Sequence, residues 1–354
     1  MKTLLKSAGA ILLLLHRDLF LWPVPIEPVA WDAPRDRGLV DPFEPNDLLR
    51  AATAIDLGHY EGPEDATLGN DNSVYVTTET AHILRIRNRK VEKFAFTDGR
   101  PLGIEASRDG SLVVANAYTG LQRIDAMGNV STLLGSIDGS TPVYPNNLAL
   151  ADDGKIYFSE ASNKFGADQY RGSYNASLLD IMEHGSHGSV VEFDPETGVS
   201  RILLDALNYA NGVAISEDQT FLVIAETSNY RVLKYWLAGP REGETEVLLD
   251  NLPGFPDNLK TGRNGRFWLG LAAPRNALLD RLADKPGLRK VVQRLPAAVR
   301  PKATPSSHVI AFNGDGEILM NMQDPDARFS TLTGVLETDR ALYLTTLFGT
   351  DLPV

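Results

Sequence analysis

The chain contains no cysteine. That excludes disulfides, thiolate metal sites and a cysteine nucleophile, and it leaves the compartment open, since exported proteins can lack cysteine. Positive charge is in deficit as well. The 354 residues carry a formal net charge of −12, which argues against nucleic-acid binding, a function that needs a basic face. Long unbroken apolar runs are missing too. The stretch Ala8–Leu15 follows Lys2 and Lys6 and stops at His16, Arg17 and Asp18 before Leu19–Trp22 resumes. A convincing spanning helix takes about 18 apolar residues or more. A positive flank and a short apolar core are the pattern of an export signal or uncleaved anchor, although no small-residue cleavage site follows. Residues 1–22 are therefore expected as a hydrophobic signal or anchor helix, with a loosely docked N-terminal helix as the alternative. The Pro-rich WPVPIEPVAWDAP at 22–34 opens a stiff linker over 23–47. On this reading the protein is exported or membrane-anchored on the extracytoplasmic side.

What is present is repetition. PEDATLGNDNSVYVTTE begins at 63, PLGIEASRDGSLVVANA at 101, PNNLALADDGKIYFSEA at 145, ANGVAISEDQTFLVIAE at 210 and PDNLKTGRNGRFWLGLA at 256. A worn copy, LTGVLETDRALYLTTL, begins at 332. Each is an apolar run, a turn near Asp-Gly or its substitutes, and a return strand. A third strand and turn follow most copies, as in SVVEFDPETG after the third. Units of three or four antiparallel strands at about 40–50 residues are propeller blades. The expectation is an all-β, six-bladed propeller over 48–354, with LLRAATAIDLG at 48–58 supplying a closing outer strand. The two long intervals hold lid-like insertions near 162–187 and 274–306. Composition, 43% hydrophobic and 23% charged, suits one soluble domain with a large core.

In a propeller the first strand of each blade lines the central channel, so the residues opening those strands converge on one axis. They are Glu64, Leu102, Asn146, Asn211, Asp257 and, in the worn copy, Thr333. Four of the six carry oxygen ligands. Two carboxylates and two amide carbonyls suit Ca²⁺, a hard ion taking six to eight oxygens; Zn²⁺ or Cu²⁺ would want His or Cys. The bland alternative is that Asn and Asp at strand starts only cap turns. Asp65 and Asn147, one step on, form a second tier that holds either a buried structural ion or hydrogen bonds between blades.

YPNNLALADDGKIYFSEAS, HGSVVEFDPETG, NYANGVAISEDQTFLVIAETSNYRVLKYWLAGPREG and NLPGFPDNLKTGRNGRFWLGL together resemble the strictosidine synthase-like proteins. These stand in the wider group of gluconolactonases, senescence marker protein 30 and paraoxonases. The resemblance runs from about residue 42 to the end, and it implies a six-bladed propeller. It also implies a channel Ca²⁺ held at Glu64, Asn146, Asn211, Asp257 and Asn258. Two departures limit what else carries over. Thr333 stands where the plant synthase resemblance would place a catalytic Glu, which disfavours a condensing enzyme. Leu102 stands where paraoxonases have a dyad His.

The function expected from this pattern is calcium-dependent hydrolysis of a small-molecule lactone or aryl ester at the channel mouth. Asp257 or Glu64 would act as base, with His187 as a further candidate and His308 a weaker one. The rivals are a non-catalytic, membrane-anchored binding propeller with a structural calcium, and the disfavoured condensing enzyme. Phe165, Tyr170, Tyr174, Leu178, Leu179, Ile181 and Met182 either shape the pocket or pack the insertion onto the ring. The apolar spacing Leu278–Leu295 predicts one amphipathic helix over the mouth, a lid or a membrane-surface contact. Membrane association through the N-terminus is the further partner expected; the oligomeric state is left open.

Overall fold

The computed structural model describes residues 22–136 and 142–354. Five antiparallel sheets of four strands each follow one another along the chain, every strand pairing with the next in sequence. Their innermost strands are Ala66–Leu68, Pro101–Ala106, Pro145–Leu150, Ala210–Ile215 and Gly254–Thr261. Blade three shows why these residues pair. Leu148 sits opposite Phe158 and Leu150 opposite Ile156 across the Asp153-Gly154 turn, where Gly154 takes φ +91°; a positive φ costs glycine little. Every residue of the return strand Ile156–Glu160 is buried, because neighbouring blades cover both of its faces. The core is thus a series of wedges between blades. One holds Ala149 and Tyr157 of blade three against Val213, Leu222 and Ile224 of blade four.

The all-β propeller is as expected, but the structure has five four-stranded blades, not six. The sixth copy forms a two-stranded sheet, Leu332–Glu337 with Leu342–Thr346. The terminal strands Ala54–Asp56 and Asp351–Pro353 form another, registering Ile55 with Leu352. The cause lies between them. The Thr346 hydroxyl donates to the Phe348 carbonyl at 2.6 Å and Gly349 takes φ +92°, so the chain turns off before a third strand joins that ladder. Segment 48–58 does provide a closing strand, paired to the C-terminal strand alone.

The hydrophobic helix expected over residues 1–22 lies, apart from Trp22, outside the described residues. Among the described residues no helix is long and apolar enough to cross a membrane. Residues 23–47, expected as a linker, are held against the ring. Val29 N donates to Glu183 O at 2.9 Å, and Trp31 stacks on His184 with ring centroids 4.0 Å apart.

Both insertions are helical and sit at the end of the ring where the innermost strands begin, hereafter the mouth. The first carries α1 (Ser173–Glu183). The second carries α2 (Ala277–Arg281) and α3 (Pro286–Arg294), correcting the single helix expected over Leu278–Leu295. Pro286 has no N–H to donate, so it starts a helix and cannot continue one. The Asn276 side chain caps α2, accepting from Leu278 N and Leu279 N.

Candidate axial oxygen site

The ring residues reach the mouth through a recurring irregularity. The ladder between the first two strands slips at Pro101/Ile104, Pro145/Leu148, Ala210/Val213, Pro256/Leu259 and Leu332/Gly334. Leu102, Asn146, Asn211, Asp257 and Thr333 occupy those slips. A bulge frees consecutive residues from strict alternation and re-aims their side chains. Asn146 and Asp257 then face the mouth, while their neighbours Asn147 and Asn258 bond each other nearer the axis. Blades must approach closely for this: a Cβ added to Gly212 would lie 2.3 Å from Leu259 N.

Glu64, Asn146, Asn211 and Asp257 line one pocket. The first three are buried, at 3%, 4% and 4% exposure, and Asp257 is partly open to the mouth. Glu64 Oε2, Asn146 Oδ1 and Asn211 Oδ1 are all buried without a hydrogen-bond partner. Buried acceptors are nearly always paired, so three orphaned oxygens in one pocket are a strong departure. Both carboxyls are pushed well above the ordinary range. Burial is the first cause for each, and for Glu64 repulsion from Asp257 and Asp65 follows, opposed by the Arg100 guanidinium.

Asn258, expected among the ligands, is used otherwise. Its amide donates to Glu64 O and Glu64 Oε1, both at 3.0 Å, and its Oδ1 accepts from Asn147 at 3.3 Å. It positions Glu64, and its Oδ1 is engaged by Asn147. The lower tier holds no opening for an ion either. Lys260 Nζ lies 3.0 Å from Asp65 Oδ2, and Asn147 Oδ1 accepts from Val213 N at 3.0 Å, so of the two roles left open it is the joining of blades. Thr333 also joins blades, donating to Glu64 O at 2.7 Å.

The structure does not bring His187 to the pocket. Its Nε2 lies 2.6 Å from Glu183 Oε1, which Lys164 also holds at 2.6 Å. His308 bonds Asn321 at 2.8 Å, also away from the axial set. Insertion residues divide by face: Tyr174, Leu178, Ile181 and Met182 line the pocket, while Phe165 and Leu179 are buried beneath, with Tyr170 packed on them. Four participants escaped the sequence reading. Arg100 is a buried cation facing Glu64, and nothing local marks it. Tyr209 donates to Tyr144 at 2.7 Å, and Tyr144 to Ser173 O at 2.9 Å, a hydroxyl chain in the pocket wall. Lys260 could have been found, as a cation in an otherwise buried innermost strand.

Among the described residues no three His, Cys, Asp or Glu side chains cluster as a metal site. The axial set passes a different test. Its donors are two carboxylates and two amide oxygens, three of its oxygens are orphaned, and hard oxygens in that mixture suit Ca²⁺.

Residues 146–240 match the strictosidine synthase family model, and residues 41–86 match the strictosidine synthase-like N-terminal model. The adipocyte plasma membrane-associated protein of Bos taurus is 30% identical over 354 residues, covering 93% of this chain and 84% of its own. Among solved structures, a gluconolactonase from Xanthomonas campestris superposes with TM-score 0.63 at 18% identity, covering 92% of this chain and 97% of that one. The calcium-binding protein regucalcin from Agrobacterium tumefaciens does so with TM-score 0.59 at 13% identity, covering 86% and 93%. At such identities these two likenesses show the fold.

Proposed function

The chain belongs to the strictosidine synthase-like family, and on that premise we propose that it is a Ca²⁺-dependent hydrolase of lactones or aryl esters acting at the axial mouth. The observation that carries the reading is the trio of orphaned buried oxygens on Glu64, Asn146 and Asn211. Those residues and Asp257 would hold the ion. Bound there, Ca²⁺ would polarise a substrate carbonyl and favour the oxyanion. Tyr144, Leu178, Ile181, Met182, Phe255 and Leu279 give the pocket an apolar wall, which suits an apolar acyl or aryl group and excludes bulk water. Asn258 holds Glu64 in place, and the partly open Asp257 is left to take the proton of an attacking water. Water adds to the carbonyl carbon, the C–O bond breaks, and the alkoxide or phenoxide recovers the proton.

One observation favours a second reading, a non-catalytic binding propeller with a structural ion. Among the described residues no histidine lines the pocket, and its carboxylates, Glu64 and Asp257, would also serve the ion. The solved likenesses include, by their names, a gluconolactonase and a calcium-binding protein, which supports the ion under both readings. The bovine relative is named for association with the plasma membrane, and we extend that placement to this chain. Turnover of phenyl acetate and simple lactones with Ca²⁺, abolished by chelator while circular dichroism holds, supports the hydrolase. Calcium binding without turnover of any of them supports the platform.

A further inference from the structure

Helix α3 is packed inside out. Its buried side chains are Arg289 and Gln293, one turn apart. Arg289 donates to the carbonyls of Met182, Val29 and Ala283, binding the two insertions and the N-terminal strap together. Leu288, Val291, Val292 and Leu295 stand at i, i+3, i+4 and i+7, one helix face. That face is not in the core. Leu288 is 49% exposed, the other three are only partly covered, and none joins a buried apolar cluster among the described residues.

More apolar surface surrounds it. Val299 is 64% exposed, and Trp22 is 63% exposed and tied to α3 by Arg294 Nε donating to its carbonyl at 2.5 Å. The exposed Phe348 packs edge-on to Tyr174 in the pocket wall. Charge here runs against the rest of the molecule. Arg281, Lys285, Lys290, Arg294, Arg300 and Lys302 reach the surface or its edge within one short stretch. Asp284 is the only acid between 281 and 302, although Glu27 from the strap pairs with Lys290. The whole chain is at −12.

We propose that this face docks on an anionic lipid surface, with the pocket mouth turned toward the bilayer. Apolar side chains ringed by Lys and Arg on a short surface helix are the physical signature of interfacial binding. The cations select lipids of opposite charge, at a range set by the ionic strength. This contact is separate from anything residues 1–21 do, and it does not depend on hydrolysis.

The absence of cysteine supplies the test. In the full chain, Leu288→Cys is the only thiol and takes an environment-sensitive fluorophore. Met127→Cys is the control: Met127 is 82% exposed in the turn between Gly120–Ile124 and Val130–Leu134, at the end of the ring away from the mouth. Vesicles of phosphatidylcholine with phosphatidylglycerol should blue-shift the label at 288 and not at 127. Pure phosphatidylcholine should do so weakly, and high salt should reverse the shift. Arg281→Glu with Lys285→Glu should lower the partition of the protein onto the anionic vesicles at least about tenfold. A silent label at 288 on vesicle-bound protein overturns the proposal. So does emission already blue-shifted without lipid: independence of protein concentration would then assign the face to residues 1–21, and dependence on it to a second copy.

Discussion

Lys260 Nζ lies 3.0 Å from Asp65 Oδ2 at the axis of the ring, with the two side chains 5% and 2% exposed. The same ammonium donates to Ile104 O at 2.6 Å and pairs with Glu105 at 2.8 Å. One side chain of blade five therefore ties blades one and two. Removing one partner of a buried pair leaves an uncompensated charge, a loss of about 3–5 kcal/mol. Lys260→Met should lower the urea unfolding free energy by that amount, and adding Asp65→Asn should recover part of it. A loss under about 1 kcal/mol would show that the pair does not hold the blades.

Gly212 lies where blades four and five approach closely. A methyl there would press on Leu259 N and on Asp257 O at 2.5 Å, both backbone atoms that cannot swing aside. Overpacking of this kind costs about 1–3 kcal/mol or more. Gly212→Ala should therefore unfold earlier in urea. It should also weaken calcium binding, because Asp257 would be displaced with its strand.

Asn258 touches Glu64 and leaves the mouth free. Loss of a partner that orients a ligand costs about 10–100-fold in metal affinity. Asn258→Ala should raise the calcium dissociation constant by that factor in titration calorimetry while the chain stays folded. Asn211→Ala removes one of the orphaned oxygens itself and should cost at least as much. Unchanged affinity in both variants would remove the axial site from the protein.

His184 gives a pH dependence unconnected with the axial carboxylates. Burial, then the charge of Arg289, pushes it down to about 3. Burial likewise pushes His308 down to about 4. The folded state thus holds fewer protons than the unfolded chain, whose histidines titrate near about 6.5. Their contribution is complete above that value and is lost as pH falls toward the folded values, at up to about 1.4 kcal/mol per pH unit for each. The raised axial carboxyls contribute a slope of opposite sign between pH 6.5 and 5, so the histidine contribution is read as a difference: the stability lost on going from pH 6.5 to 5 should be smaller in His184→Phe than in the unaltered protein. An unchanged slope would place His184 in water.

Glu183 links the strap to the first insertion. It accepts from Glu27 N at 2.6 Å and from both Lys164 and His187. Burial opposes its ionisation, but these hydrogen bonds and the Lys164 charge win and hold it down at about 2. Glu183→Gln should loosen α1 and the strap together, read as faster hydrogen exchange over 24–31 and 173–183. Protection unchanged in either segment would show that Glu183 does not couple them.

The sequence by itself determined the propeller and the positions of the oxygen ring. Both follow from local regularities: alternation with period two, turn residues at fixed offsets, and one phrase repeated along the chain. Glu64, Asn146, Asn211 and Asp257 were legible because those offsets fix where a strand begins. The tertiary structure alone decided what a one-residue offset cannot reveal. At two of the bulges polar residues stand side by side, Asn146 with Asn147 and Asp257 with Asn258, and only the packing of the next blade leaves Asn146 free at the mouth and engages Asn147 and Asn258 with each other. The same holds for His187, whose partner Glu183 was fixed by the fold of an insertion. It holds for the sixth copy, where a turn after Thr346 stopped a sheet its strands were fit to extend, and for the stretch Leu278–Leu295, which the sequence reads as one amphipathic helix and the fold divides into α2 and α3. Pattern sets which side chains are alike; contacts distant in the chain set which way they point.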